Sequence, residues 1–282
     1  MIDDSKEKYN VSLMCKVLAI ARSTYYYFKT KKPSKRSYEN TSITQEIKDI
    51  YDESKGIYGA PKIHKIISKK FSVSLKKVQR FMKNLGIRSV ILKKYRPYSK
   101  KVKIEHRTNI LNQDFSTKDI NEKWTGDITY IHTIKYGWCY LASVMDLHTR
   151  KIVGYSFGKN MTTDLVIKAL ENAYVSQNPD KDLIFHSDLG SQYTSLEFIN
   201  YIKNKRIIQS FSKKGCPYDN ASIESFHATL KKEEAYRFKY FDYNSARVKL
   251  FEYIEGWYNR KRIHGSIDFM TPNEYEVLSR AN

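Results

Sequence analysis

The chain has 282 residues, of which 41% are hydrophobic and 14% aromatic, with only 11 Gly and 6 Pro. This composition excludes a disordered or collagen-like chain and is sufficient for the cores of about two domains. The 50 Lys+Arg against 30 Asp+Glu give a formal charge of +20, which favours polyanionic partners. We find neither an apolar run long enough to span a bilayer nor a secretory leader pattern, and therefore expect a cytoplasmic protein without a membrane partner.

Cysteine and histidine give no sign of a structural metal. The three cysteines, Cys15, Cys139 and Cys216, are far apart and form no CxxC pair. The histidines show no HxxxH or HExxH spacing. We therefore expect reduced thiols and no zinc site.

The excess positive charge belongs to the N-terminal part of the chain. Residues 1–120 hold 28 Lys+Arg and 11 Asp+Glu, whereas residues 121–282 hold 22 and 19. Between Glu53 and Glu105 there are 16 basic residues and no acid. A field of one sign over fifty residues favours nucleic acid, whose phosphates are the natural counter-charge, over a merely solubilising surface.

The first helical pattern is short. The run VSLMCKVLAI at residues 11–20 is followed by STYYYFK, for which Ser23 is the predicted cap. This pair could read DNA or serve as a dimerisation helix. The basic stretch at residues 29–37 has the composition of a linker.

A stronger helix-turn-helix pattern follows. A helix over residues 43–53 precedes a segment that opens at Pro61, and Ser74 is the predicted cap of a third helix that ends at Gly86. Leu75, Val78, Phe81, Met82 and Leu85 are predicted to face inward. The predicted outward residues, suited to a major groove, are Lys76, Lys77, Arg80 and Lys83. A plain helical bundle with solvated lysines is the alternative.

From residue 123 onward the hydrophobic period changes to that of strands. Three apolar and aromatic runs, at 124–134, 137–147 and 151–158, predict consecutive strands. Helices and strands then alternate, with helices at 162–177, 195–206 and from 223, and strands at 182–188 and 207–212. The pattern predicts an α/β fold with a mixed five-stranded sheet and helices on its faces.

Three carboxylates lie where this sheet should expose its strand ends. Asp127 is inside the first strand, Asp188 ends the fourth, and Glu224 falls in the first turn of the helix after the fifth. Acids in strands are costly unless they are paired, and a divalent cation would remove that cost. Oxygen ligands without nearby His or Cys select Mg²⁺ or Mn²⁺. Taken singly, each acid has a simpler explanation, such as Asp188 capping the next helix.

Five blocks in order resemble one known family over nearly the whole chain. They are YGAPKI, KWTGDITYI, FHSDLGSQYTS, GCPYDNASIESFHATLKKE and YNRKRIHGSIDFMTP. They resemble bacterial insertion-sequence transposases with a retroviral-integrase catalytic core, specifically the second-reading-frame product. Gly126 and Ile267 depart from the residues common in that family, and neither belongs to the catalytic positions.

The resemblance implies an RNase H-like core with an Asp-Asp-Glu triad. Asp127, Asp188 and Glu224 match that triad, with thirty-five residues between the last two, and Lys231 matches a basic residue seven positions after the glutamate. It further implies two Mg²⁺ ions per active site with DNA bound, with Mn²⁺ as a substitute. Water would first cleave the element's 3′ end, and the freed 3′-hydroxyl would then attack a second phosphodiester.

The resemblance also implies partners and DNA contacts. The partners are double-stranded DNA, at the element's terminal inverted repeats and at the target, further copies of the chain on that DNA, and an upstream-frame protein or frameshift fusion. Besides Lys231 and the four basic residues of the third helix, the predicted DNA contacts are His186, Gln192, Tyr193, Asn220, Arg260, Arg262 and His264. For these residues, packing and loop stabilisation are the alternatives.

We predict five segments along the chain. They are an N-terminal helix-turn-helix-like segment and linker at 1–37, a DNA-binding domain at 38–94, a linker at 95–121, a catalytic core at 122–234 and a helical tail at 235–282. Two other functions remain open. A DNA-binding regulator without catalysis explains the basic half, and a general RNase H-like nuclease explains the carboxylates.

Overall fold

A computed structural model describes residues 2–90, 108–180, 182–213 and 216–281. The chain divides into two compact units, Met1–Ser89 and Val90–Asn282. Part of the predicted linker, residues 95–107, lies outside the described residues.

The first unit is helical. Its helices are α1 (Ile2–Ser5), α2 (Val11–Val17), α3 (Arg22–Thr30), α4 (Lys35–Glu53), α5 (Ala60–Ile67) and α6 (Leu75–Asn84). Helices α4, α5 and α6 enclose a core of isoleucines with Val78, Phe81 and Met82. This apolar stripe recurs at helical spacing, and its burial drives the three helices together.

The ends of α6 follow the sequence signals. The Ser74 hydroxyl accepts a hydrogen bond from the Lys77 N–H, and Gly86 adopts a positive φ of 67° just after the helix. Two predictions for this unit were wrong. Helix α3 begins at Arg22, so that Ser23 lies inside the helix. Leu75 is exposed because it occupies the first position of α6, before the helix reaches the core.

The second unit contains a five-stranded sheet. Its strands are β1 (Lys123–Thr133), β2 (Gly137–Asp146), β3 (Ile152–Gly158), β4 (Ile184–Ser187) and β5 (Ile208–Phe211). Its helices are α7 (Thr163–Gln177), α8 (Leu196–Asn204), α9 (Ala221–Leu230), α10 (Tyr243–Phe251) and α11 (Pro272–Ala281). A π-helical turn, Lys231–Ala235, extends α9, and a second one, Glu252–Tyr258, extends α10.

The strand order is β3-β2-β1-β4-β5. The first three strands form an antiparallel meander, and β4 and β5 are parallel to β1. Short turns permit the antiparallel pairs, whereas α7 and α8 provide the long crossovers that parallel strands require. The prediction of a mixed five-stranded sheet with flanking helices is confirmed, as the resemblance to an RNase H-like core implied.

Each face of the sheet has its own core. On one face α7 and α8 pack over Trp124, Phe185 and neighbouring apolar residues. On the other face α9, α10 and the turn after α10 pack over Ile131, Leu141 and neighbouring residues. Because residues after 235 contribute to this second core, the C-terminal segment is built onto the sheet.

Residues just before β1 also pack on the core. The Ser210 hydroxyl of β5 accepts hydrogen bonds from the N–H groups of Ile110 and Leu111, both at 3.0 Å. The buried carboxylate of Asp219 accepts bonds from the side chains of Asn109 and Gln113, both at 2.8 Å. The described end of the predicted linker therefore lies along β5 and the loop before α9.

Gly126 departs from the family pattern for a steric reason. A Cβ atom at this position would collide with the ring of Phe185 on β4. Phe185 is buried between α7, α8 and the sheet. The aromatic ring thus occupies the volume that a larger residue at 126 would fill.

Gly154 of β3 allows helix α7 to approach the sheet closely. A Cβ atom there would meet backbone atoms of Ala169 and Ala173 on α7. We expect Gly154→Ala to lower the free energy of unfolding by about 3 kcal/mol, because neither backbone can move without disturbing the core. Urea titration of the purified chain measures this loss.

Gly256→Ala is the matched control, because no atom outside the adjoining backbone of its own helical turn lies within 4 Å of a Cβ built at Gly256. We expect this change to alter stability by less than about 1 kcal/mol. Equal stability of the two variants would contradict the close approach of α7 to β3.

None of the helices in the described ranges is both long and apolar enough to cross a bilayer.

Candidate active site

The sheet topology brings Asp127 and Asp188 together. In the parallel pair β1 and β4, the last registered partners are Gly126 and Ser187. Each aspartate is the next residue along the chain from one of these partners. Since neighbouring strands are about 4.8 Å apart, the two carboxylates project from adjacent positions at the end of β4.

The electrostatics of Asp188 reflect this juxtaposition. Its carboxyl remains open to solvent, but the surrounding protein reduces its hydration and, together with the charge of Asp127, raises its pKa. A single hydrogen bond from the Gly190 N–H, at 3.0 Å, partly opposes this shift. Burial, followed by the charges of Asp127 and Asp188, also raises the pKa of Tyr193. Two neighbouring negative charges, one on half-buried Asp127 and one on Asp188, provide a field that a cation would relieve.

Asp127 is fixed from two sides. Its Oδ1 accepts the Ile128 N–H at 2.8 Å, and its Oδ2 lies 3.2 Å from Nδ1 of His227 on α9. The other ring nitrogen of His227 lies 3.3 Å from the Ser143 hydroxyl, opposite Asp127 on β2. Because a carboxylate only accepts, Nδ1–H donates to Asp127, and in the neutral ring Nε2 accepts from the Ser143 hydroxyl.

His227 was missed by the sequence analysis. It is buried, three residues after Glu224 on the same helix. That spacing is the only signal that could have identified it, since residues at i and i+3 are neighbours on a helix surface.

Glu224 and Lys231 lie on the same helical segment. Glu224 is exposed in the first turn of α9, one turn before the histidine that contacts Asp127. Lys231 follows seven residues later, where the π-helical turn begins. Across the described ranges, no three His, Cys, Asp or Glu side chains are arranged to hold a metal ion. The structure thus pairs Asp127 with Asp188 and places Glu224 on the adjoining helix.

Asn220 positions the start of α9. It is buried, its Oδ1 accepts a hydrogen bond from the Thr125 hydroxyl, and its Nδ2 donates to the Gly126 carbonyl at 3.4 Å. These bonds connect the first turn of α9 to the strand residues that precede Asp127. The side chain therefore acts within the fold, and its burial argues against the predicted DNA contact.

His186 is also an internal residue. Its Nδ1 lies 2.9 Å from the Ser210 hydroxyl and its Nε2 lies 3.0 Å from the Ser212 hydroxyl. Ser210 already accepts two backbone N–H groups, so its own proton goes to Nδ1, and Nε2–H donates to Ser212. Burial lowers the pKa of His186 to about 4, against the opposing charge of Asp219. The side chain has no exposed surface, and the contact of His186 with DNA stays a prediction.

Two of the predicted DNA contacts lie in the loop after β4, and they differ in exposure. Tyr193 is only 3% exposed and packs against Phe185 and Phe198, which argues against the predicted DNA contact. Gln192 is half-buried and donates to the Met161 carbonyl at 3.2 Å.

The three predicted contacts in the tail differ in environment. Arg260 is exposed. The Arg262 Nε donates to both carboxylate oxygens of Glu233, at 3.0 and 3.1 Å, and Glu233 is buried. His264 is half-buried, 3.3 Å from the Arg262 guanidinium. Arg262 is thus primarily an ion-pair residue.

The basic residues of α6 are mostly directed to solvent. Lys76, Arg80 and Lys83 are exposed, and Lys77 is half-buried with its ammonium 5.7 Å from the centre of the Phe81 ring. The buried side of α6 holds no basic residue. The helix therefore presents a cationic outer surface, as an element that enters a DNA groove requires.

Comparison with known proteins gives consistent matches. Family models described as an integrase core domain match residues 118–217 and 205–272, and a model described as an HTH-like domain matches residues 37–95. The transposase for insertion sequence element IS904 of Lactococcus lactis is 37% identical over 248 residues, covering 87% of this chain and 98% of the relative. Transposase InsF for insertion sequence IS3A of Escherichia coli is 32% identical over 279 residues, covering 98% and 96%.

A solved structure of the HTLV-2 integrase catalytic core domain in complex with magnesium is similar with a TM-score of 0.43 and 18% identity. The match covers 56% of this chain and 97% of the HTLV-2 integrase core chain. The close relatives extend over nearly the full length, through both the helix-turn-helix-like region and the carboxylate-bearing sheet. The chain therefore belongs to the IS3 family of insertion-sequence transposases, DNA-binding enzymes with an integrase catalytic core.

Proposed function

We propose that Asp127, Asp188 and Glu224 are the catalytic carboxylates of a reaction that cleaves the 3′ ends of an insertion sequence and joins them to target DNA. The juxtaposition of Asp127 and Asp188 at the end of β4 carries this proposal. Neither a DNA-binding regulator nor a structural module has a use for two adjacent acids without a cation beside them.

The donor set suits a hard divalent cation. Asp127 and Asp188 offer carboxylate oxygens, and the raised pKa of Asp188 means that a positive charge beside it would stabilise its ionised form. We assign Mg²⁺, or Mn²⁺ in its place, to these two residues and Glu224, with two ions when DNA is bound. Such ions supply activation of the attacking oxygen and stabilisation of the leaving oxygen in phosphoryl transfer.

The protein's own residues hold and orient the reacting groups. His227 and the Ile128 N–H fix the carboxylate of Asp127, and Asn220 fixes the start of the helix that carries Glu224. Lys231, two helical turns after Glu224, is proposed to contact a DNA phosphate. Water and then the freed 3′-hydroxyl attack the phosphorus atom directly. The reaction therefore forms no covalent enzyme intermediate and requires no serine nucleophile.

The remaining features of the proposal concern partners and domain limits. We assign DNA binding to residues 38–94 and catalysis to residues 122–234, with action on terminal inverted repeats and target DNA in the cytoplasm. Further copies of the chain on the DNA, and an upstream-frame protein or fusion, complete the proposed assembly.

The deciding experiment uses labelled duplexes that carry the ends of the flanking insertion sequence. Incubation with Mg²⁺ or Mn²⁺ should give nicks with 3′-hydroxyl ends and then products joined to a plasmid. Nicking of any duplex without joining would indicate a general nuclease, and binding without nicking would indicate a regulator. Either result would overturn the proposal.

Helix α6 provides a separate prediction about DNA binding. Neutralising Lys76, Lys77, Arg80 and Lys83 with Gln should lower affinity for a 30-bp end duplex by at least about 100-fold in 0.1 M salt, because about four phosphate contacts are lost. The slope of log affinity against log salt should fall by roughly 3 to 4. Fluorescence anisotropy measures both quantities.

The control neutralises four exposed basic residues outside α6, namely Lys32, Lys35, Arg36 and Lys48. We expect a smaller loss from this variant. Equal losses from the two quadruple variants would show that total charge decides affinity and would remove the special role of α6.

A further inference from the structure

A cavity of about 370 Å³ lies beside α9, distinct from the carboxylate pair. Its polar lining includes the guanidinium groups of Arg150 and Arg262 and the hydroxyls of Ser222, Ser225 and Thr229. The described residues that line it include no carboxylate. Its volume falls in the lower part of the range of small-ligand sites, about 300–1,000 Å³.

Arg150 contributes a positive charge that is poorly compensated. It stands in the turn between β2 and β3, and its Nη1 donates to the Ser222 hydroxyl at 2.7 Å. No carboxylate of the described chain lies within ion-pair distance of it, and the nearby Asp146 already accepts bonds from the backbone N–H of His148 and the Thr149 hydroxyl. Burial lowers the pKa of Arg150, which reflects the cost of its reduced hydration.

The backbone of Arg150 is unusual as well. Its φ of 61° lies in the left-handed region, which costs a residue other than glycine roughly 1 kcal/mol. Glycine would occupy this turn without that cost. The arginine is thus held in a strained turn with its guanidinium directed at the first turn of α9.

Arg262 lies in the same lining with its charge already balanced. Its hydrogen bonds to Glu233 fix the orientation of the guanidinium plane. This arrangement leaves Arg150 as the source of net positive charge and Arg262 as an oriented group beside it. Planar guanidinium groups together with hydroxyls form the donor set that recognises phosphate oxygens.

The cavity and Glu224 of the proposed triad lie on different faces of the same helix, α9. Ser222, Ser225 and Thr229 share one face of α9, whereas Glu224 is rotated from these three residues by about 100° to 160° around the helix axis. A helix with its side chains is about 10–12 Å wide. DNA that crosses α9 with one phosphate at the carboxylates would therefore bring another phosphate of its backbone to the cavity.

We propose that this cavity binds a backbone phosphodiester of the DNA that is processed at the carboxylate site, with Arg150 as its principal ligand. The inference rests on the proposed function, because it takes DNA as the substrate of that site. It assigns to Arg150, which the sequence analysis did not single out, a place in substrate positioning.

The test compares Arg150→Gly with Arg206→Gly. Arg206 also has a positive φ, of 56°, is exposed and does not line the cavity, so that the two changes alter charge and backbone in the same way. Relief of backbone strain should keep the melting temperature of both variants at or above that of the parent chain. Each is assayed as the full chain by anisotropy with a 30-bp end duplex.

We expect Arg150→Gly to weaken binding about tenfold and to lower the salt slope by about 0.9, and Arg206→Gly to change neither. Arg150→Lys should preserve the slope while recovering only part of the affinity, because lysine keeps the charge and loses the planar fork. Unchanged binding by Arg150→Gly, or equal losses from both glycine variants, would overturn the proposal.

Two further experiments show whether the bound phosphate belongs to DNA or is free in solution. Single methylphosphonate substitutions along the duplex should reveal one position that weakens binding of the parent chain and has no further effect on Arg150→Gly. If instead inorganic phosphate raises the melting temperature of the parent chain alone and no methylphosphonate position discriminates, the cavity takes free phosphate and the DNA assignment fails. If Arg150→Gly lowers the slope of log affinity against log salt although the parent chain never cleaves DNA, the phosphate site is upheld and the proposed catalysis is refuted.

Discussion

Replacement of Asp188 by Asn should reduce Mg²⁺-dependent cleavage and joining of element ends by about 1,000-fold or more. The substitution removes one of two adjacent carboxylates and with it the negative charge that favours a divalent cation. Affinity for DNA should remain the same or increase, because a negative charge facing the phosphates is lost. Gel analysis of labelled end duplexes measures cleavage, and anisotropy measures affinity.

Asp188→Asn should also change the melting temperature, and the raised pKa of Asp188 determines the direction of this change. A raised pKa in the folded state means that this carboxyl stabilises the fold below its unfolded pKa, and that the contribution is lost as pH rises through the folded value. The amide that replaces the carboxyl stays neutral, so the variant should melt higher at pH 7, by roughly 1–3 °C, and the difference should vanish below about pH 4. Added Mg²⁺ or Mn²⁺ should raise the melting temperature of the parent chain more than that of the variant.

Asp182→Asn is the matched control, because Asp182 is exposed just before β4 starts, at the opposite end of the strand. This change should leave cleavage and the metal-dependent melting shift intact. If Asp188→Asn cleaves as fast as the parent chain, Asp188 has no part in the reaction.

Replacement of Glu233 by Gln should cause a large loss of stability in the second unit. Glu233 is 4% exposed and accepts hydrogen bonds from Tyr253 at 2.8 Å, Trp257 at 3.3 Å and Arg262. Although burial disfavours the charged guanidinium, Glu233 keeps the pKa of Arg262 above its ordinary value. Removing the carboxylate leaves a buried cation without compensation, which costs about 3–5 kcal/mol.

In a unit of this size such a loss should lower the melting temperature by roughly 10 °C. The control is Glu252→Gln, which breaks an exposed pair with Lys249 and should change stability by less than about 0.5 kcal/mol. Circular dichroism melts compare the two variants. A drop as small for Glu233→Gln as for Glu252→Gln would mean that the buried pair adds little to the fold.

Much of the sheet was predictable because its signals are local. Apolar and β-branched runs identify the five strands, and Ser74 and Gly86 identify the ends of α6 through their own capping chemistry. The nearness of Asp127 to Asp188 also follows from local reasoning, since both lie at defined positions on strands that the crossover rules place in one sheet.

The residues that eluded prediction depend on contacts between distant segments. His227 meets Asp127 across 100 residues, and Arg262 meets Glu233 across 29, through a π-helical turn that no local pattern announces. Arg150 lies 72 residues from Ser222. The burial of His186 and Tyr193 was not predicted for the same reason, because the burial of a polar residue is set by what the rest of the chain places over it.

The interlocking of Gly126 with Phe185 has an evolutionary consequence. The Phe185 ring fills the space that a side chain at position 126 would need. A larger residue at position 126 therefore requires a smaller one at position 185, so that the two positions can change only together. Relatives with a bulkier residue immediately before the position of Asp127 are thus expected to carry a smaller one at the position of Phe185, a compensated exchange that leaves the neighbouring carboxylates undisturbed.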